Sequence, residues 1–111
     1  MTAVANKLGV ITETMHLTYD EIGQIVDASA RSVSRWNHGN AEPQKLARQR
    51  LLELAYVADE LRDVLRPEDA NLWIFSPNRL LGGDTPAQRI STGEYRSVVG
   101  VIEALADGIV V

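Results

Sequence analysis

A chain of 111 residues and 12.2 kDa, 45% hydrophobic and 23% charged, has enough apolar surface for one compact core or two small ones. It contains no cysteine, which excludes disulfides and thiolate metal sites. Its opening stretch, MTAVANKLGVIT, carries one lysine and a four-residue apolar run at 8–11, too little for a signal-peptide core or a membrane span, so a cytoplasmic protein is expected. The net charge of -4 is unevenly spread. Residues 28–50 hold Arg31, Arg35, Lys45, Arg48 and Arg50 against Glu42 alone, whereas residues 57–111 hold nine acids against five arginines. The basic segment can approach phosphate; the acidic half is repelled by it and suits a protein partner better.

No stretch alternates β-branched and aromatic residues with period two, so the fold is predicted to be all-α, an N-terminal helix-turn-helix bundle followed by a small helical module. A first helix is expected over about residues 3–15. The stretch LTYDEIGQIVDASARSVSRWNHG then breaks into two short helices. Thr18 with Glu21 forms a capping box for a helix over about 19–26, with Ile22, Ile25 and Val26 inward. Ser29 caps the next, about 30–38, and Gly39 with Asn40 ends it. Pro43 suits the first position of a long helix reaching to about Arg66. Along it Ala47, Leu51, Leu54, Ala58, Leu61 and Leu65 form one apolar seam, read as the core face.

Pro67 opens a short helix containing EDANLWIF, and the loop SPNRLLGGD follows. Pro77 fixes a torsion, Asn78 can bond nearby amides and Gly82-Gly83 permits positive φ, which makes an ordered loop. Trp73, Leu80, Leu81 and Ile90 are expected to form a small core beneath it. Thr85 caps and Pro86 opens a further short helix. The last helix carries Tyr95, Val98, Ile102, Leu105 and Ile109 at helical spacing. The ending GIVV has two readings. Either Ile109 completes this stripe while Val110 and Val111 fray, or Gly108 stops the helix and the aliphatic tail reaches a partner.

A helix-turn-helix needs a small residue where its helices cross, a residue tolerant of a tight turn, and apolar residues that pack the second helix on the first. Gly23, Asp27-Ala28-Ser29, Val33 and Trp36 supply these at the right spacing. On these residues the segment resembles Xre-type, Cro/repressor-like helix-turn-helix proteins, with Asp27 where that family often has glycine. Docked as such motifs dock, the second helix would turn Ser29, Arg31, Ser32 and Arg35 toward the major groove. Arg31 is the first choice for a bidentate base contact and Arg35 for base or phosphate, with Lys45 and Arg48 as phosphate contacts. The competing reading is a helical hairpin that kept its fold and lost DNA binding.

Beyond residue 66, LWIFSPNRLLGGDTPAQRISTGEYRSVVGVIEAL resembles the toxin-binding domain of the Xre/MbcA/ParS antitoxin family, on Trp73, Pro77, Asn78, Leu81, Gly82, Pro86, Ile90, Gly93 and Val98. Together the two resemblances cover nearly the whole chain and divide it into a helix-turn-helix region, 1–66, and a toxin-binding region, 67–111. They imply an antitoxin of a type II system that neutralises a co-encoded toxin, commonly a RES-domain, NAD+-consuming protein, by covering its active site, and that autorepresses through operator DNA. The residues expected to meet the toxin are Trp73, Asn78, Arg79, Leu81, Gly82, Arg89, Ile109, Val110 and Val111. The alternative is a free-standing repressor whose C-terminal helices dimerise.

No enzyme is expected, and no cofactor or metal. His16 and His38 stand apart from any metal-spaced cluster, and Asp20/Glu21, Asp59/Glu60 and Glu68/Asp69 read as solvated faces. Gly82-Gly83 lacks both the Lys/Ser pattern of a phosphate loop and a strand before it.

Overall fold

The structure is a computed structural model that describes residues 2–108. Among the described residues there are seven α-helices and no strand: α1 Ala3–Met15, α2 Tyr19–Val26, α3 Ala30–Asn37, α4 Lys45–Leu61, α5 Pro67–Ile74, α6 Pro86–Ser91 and α7 Tyr95–Ala106, with a 3-10 turn at Arg79–Leu81. None of these helices is long and apolar enough to cross a membrane. The tail residues Ile109, Val110 and Val111 lie outside the described residues.

Local chemistry sets most boundaries. Thr2, Thr18, Ser29 and Thr85 each accept a hydrogen bond from a first-turn amide, and both Thr18/Glu21 and Thr85/Gln88 close full capping boxes. α4 is shorter than its apolar seam suggests. Its N-cap is Gln44, so Pro43 sits buried outside the helix rather than in its first turn. At the other end, Val64 and Leu65 both donate to the Leu61 carbonyl and fold the chain into a turn. Arg66 must be extended (ψ 155) because a proline follows it, and a helix cannot run through that position.

α1 and α4 pack along each other at the centre. α3 and α5 lean on α1, α2 bridges α3, α4 and α6, and α7 closes against α4 and α6. One hydrophobic cluster runs through both halves, from Leu8, Ile11 and Met15 through Val33, Leu51, Leu54 and Leu61 to Ile74, Leu81, Ile90 and Val98. Polar ties cross the same boundary. The Asn71 side-chain amide donates to the His16 carbonyl at 3.0 Å, and the Arg50 guanidinium donates to the Ser91 carbonyl at 3.3 Å. The molecule measures 42 × 24 × 18 Å.

Candidate functional site

The first chemically distinct surface is built by α2 and α3. Asp27 turns the chain between them with φ 61, a left-handed conformation that Asp tolerates better than most residues. The Ala28 amide then donates to the Gly23 carbonyl at 2.9 Å, and the chain passes so close that a Cβ at position 23 would run into the Ala28 carbonyl oxygen. Val33 and Trp36 are buried, which rolls α3 so that Arg31 and Arg35 face solvent. Ser29 and Ser32 are partly engaged already, since Ser29 Oγ accepts from the Ser32 amide and donates to its hydroxyl, both at 3.0 Å. Lys45 and Arg48 are exposed at the start of α4, and Arg48 bonds Glu42 at 2.7 Å. Asp27 and Glu42 both line the groove beside α3, so the cations there share their field with acids. Arg50, part of the basic run in the sequence, turns to the opposite side and pairs with Glu53 at 3.1 Å.

The second surface is the loop between α5 and α6. Asn78 is 5% exposed and organises it. Its side-chain oxygen accepts from the Leu80 amide at 3.0 Å, its amide donates to the Asp84 carbonyl at 3.0 Å, and its carbonyl accepts from the Leu81 and Gly83 amides. Gly82 and Gly83 have φ 66 and 93, which side-chain-bearing residues rarely adopt. Arg89 binds the loop to the helices behind it. It donates to the Asp84 carboxylate at 2.8 Å, to the Leu81 carbonyl at 2.7 Å and to the Ser97 hydroxyl at 3.4 Å.

These positions separate shaping residues from presenting ones. Asn78, Leu81 and Arg89 hold the loop from within, while Arg79 and Gly82 lie on its outer side. Trp73 is partly buried, and its indole N–H has no hydrogen-bond partner. Leu80 does not join the core under the loop, as the sequence suggested. In a 3-10 turn successive side chains are about 120° apart, so with Leu81 pointing inward its neighbour points out, and Leu80 is 51% exposed. Leu72 on α5 is more exposed still, at 68%. Sequence reasoning put Leu80 in the core because two adjacent leucines cannot be told apart until the turn type is known, and it made no assignment for Leu72.

No protein-family model matches the chain. The mycobacterial cidal antitoxins MbcA of Mycobacterium tuberculosis and of Mycobacterium bovis are each 51% identical to it over 108 residues, which is 97% of this chain and 96% of theirs. The chain belongs to the MbcA antitoxin family. In three dimensions it matches a chain in the crystal structure of the M. tuberculosis MbcT-MbcA toxin-antitoxin complex at a TM-score of 0.89, with 50% identity and complete coverage of both chains. An MbcA-family protein is an antitoxin, not an enzyme, and its surfaces are to be read as binding surfaces. In this MbcA-family chain the braced loop presents Leu80 to solvent. Large apolar side chains held out by a rigid backbone lose little conformational entropy when covered.

Proposed function

We propose that this antitoxin neutralises a cognate toxin by binding it through the 67–111 region, and that the toxin is a RES-domain, NAD+-consuming protein whose active site the antitoxin covers. The observation that carries the reading is the full-length match to a chain whose solved structure is a toxin-antitoxin complex. It is supported by a loop braced by Asn78 and Arg89 with Leu80 exposed on it. The proposed boundary at 66/67 is one of tasks, since both regions share a core. The test is coexpression with the adjacent gene, followed by pull-down and measurement of growth and cellular NAD+. Growth and NAD+ should fall with the neighbour alone and recover with both genes. Failure to recover, with no partner retained, overturns the reading in favour of a free-standing repressor.

The tail 109–111 is proposed to enter the toxin's cleft. Deleting it should abolish protection while the antitoxin stays folded by circular dichroism. Continued protection would place inhibition on residues 78–89 instead.

A second task, operator binding and autorepression, is favoured by Arg31 and Arg35, both solvent-facing on α3. Arg31→Ala should weaken sequence-specific binding by about 1–3 kcal/mol, the worth of a bidentate guanine contact. A gel shift on the upstream region at several salt concentrations measures it. The absence of any salt-sensitive complex, with or without toxin, would defeat this second task alone.

A further inference from the structure

α6 is six residues long, and a helix that short leaves most of its last carbonyls to be satisfied from outside its own turns. Two of them are met by the chain that follows. The Gly93 amide donates to the Ile90 carbonyl at 3.0 Å and the Glu94 amide to the Arg89 carbonyl at 2.7 Å, the paired bonds of a Schellman motif. Gly93 holds the left-handed position of that motif, at φ 91. The pairing passes over the Ser91 carbonyl. Its donor comes from 41 residues away, the Arg50 Nε of α4 at 3.3 Å.

Arg50 is held for this contact from several sides. Its Nη1 pairs with Glu53 at 3.1 Å, the two side chains being 16% and 13% exposed, and the Gln49 side-chain amide donates to the other Glu53 oxygen at 3.3 Å. The guanidinium lies against Gly93. A Cβ there would stand 2.9 Å from Nη2 and 3.3 Å from Cζ, so glycine is required for room as well as for its φ. Desolvating two charges offsets much of what their attraction adds to stability. What the planar fork supplies is direction, because it binds Glu53 and Ser91 at once and fixes the α6–α7 turn against α4. From that turn the restraint reaches Arg89 twice. The Glu94 amide bonds the Arg89 carbonyl, and the Glu94 carbonyl accepts from the Ser97 hydroxyl at 2.6 Å, which itself accepts from Arg89 Nη1. Arg89 in turn holds Asp84 and Leu81 of the α5–α6 loop.

We propose, on the reading that residues 67–111 bind the toxin, that Arg50 is a positioning residue for toxin recognition. From the helix-turn-helix region it caps α6, and through the α6–α7 turn and Arg89 it keeps the α5–α6 loop in the conformation that the toxin meets. Among the cations of residues 28–50, Arg50 therefore serves the protein partner and not DNA.

Titration of the purified full chain with the purified product of the adjacent gene tests this. Arg50→Ala should weaken binding by about tenfold, as for one lost bond to a charged group. Arg50→Lys keeps a charge beside Glu53 and should lose about as much, because an ammonium cannot reach Glu53 and Ser91 together. In both variants amide exchange should rise at Glu94, Gly83 and Asp84 and stay unchanged in α1. Val57→Ala, a core truncation in the same helix, should lower stability yet keep parental affinity at a temperature where the chain is folded. Added to Arg89→Ala, Arg50→Ala should cost little further affinity, because both act through one brace. A folded Arg50→Lys chain with parental affinity overturns the proposal, as do losses that simply add to those of Arg89→Ala, or an equal loss in Val57→Ala. Leu80→Asp keeps the two readings apart. If it loses the toxin while the Arg50 variants bind normally, only the positioning role falls; if all of them bind normally, the reading of 67–111 falls as well.

Discussion

Single residues divide sharply into those that could be read from type and spacing and those that could not. Gly23 was legible as the small residue at the helix crossing, and the Ala28 carbonyl shows why nothing larger fits. Gly23→Ala should therefore destabilise the chain by about 1–3 kcal/mol, the usual range for forcing atoms into a packed site, measured as a shift in the urea midpoint at constant slope. Arg89 was expected from the sequence to meet the toxin, and its bracing role was not legible there. Its three acceptors make it a brace, and a brace has a different signature when removed. Arg89→Ala should leave the helices intact while amide exchange at Gly83 and Asp84, whose amides bond Asn78 and Leu81, rises about tenfold or more. Arg89→Lys should not restore protection, because an ammonium lacks the planar fork that reaches Asp84, Leu81 and Ser97 together.

Among the elements, the short helices were the most legible. Their capping residues announce themselves, and α2, α5 and α6 begin where Thr18, Pro67 and Thr85 place them. The long helix was less so, because an apolar seam continues through Leu65 even though the turn at 62–64 has already ended α4. The 3-10 turn was not legible at all, and it decides which of two adjacent leucines is structural. Leu81→Ala should cost about 2–5 kcal/mol in chemical unfolding, as for other buried leucines, whereas Leu80→Ala should stay within about 0.5 kcal/mol. Leu80→Asp should fold normally and lose affinity for the toxin in a titration of the purified partners. Equal stability losses for the two alanine variants would show that the turn does not discriminate between them.

For the whole molecule, the two regions implied by the sequence are built around one core. Leu51, Leu54 and Leu61 of the first region lie in the same cluster as Ile74, Ile90 and Val98 of the second. A shared core predicts a single cooperative unfolding transition, coincident by far-ultraviolet circular dichroism and by tryptophan fluorescence, with Trp36 in one region and Trp73 in the other. A fragment of residues 1–66 exposes the apolar side of α4 that α7 covers, and should not hold its native helix content. Two separate transitions, or a stable fragment, would mean that the halves are independent domains.

Sequence alone determined what depends on neighbours in the chain: the all-helical class, the caps, the left-handed turn at Asp27 and the ordered loop after α5. It also carried the family resemblance, because the residues that mark it are quoted directly in the chain. Tertiary structure decided what depends on contacts between distant residues. It turned Asn78, Leu81 and Arg89 to the inner side of the α5–α6 loop and left Leu72 and Leu80 on the surface. It turned Arg50 from the basic segment toward Ser91, and it left Leu52 and Tyr56 of α4 on an open face. Burial is a property of the packed molecule, and spacing along one helix cannot say which of its faces the other helices will cover.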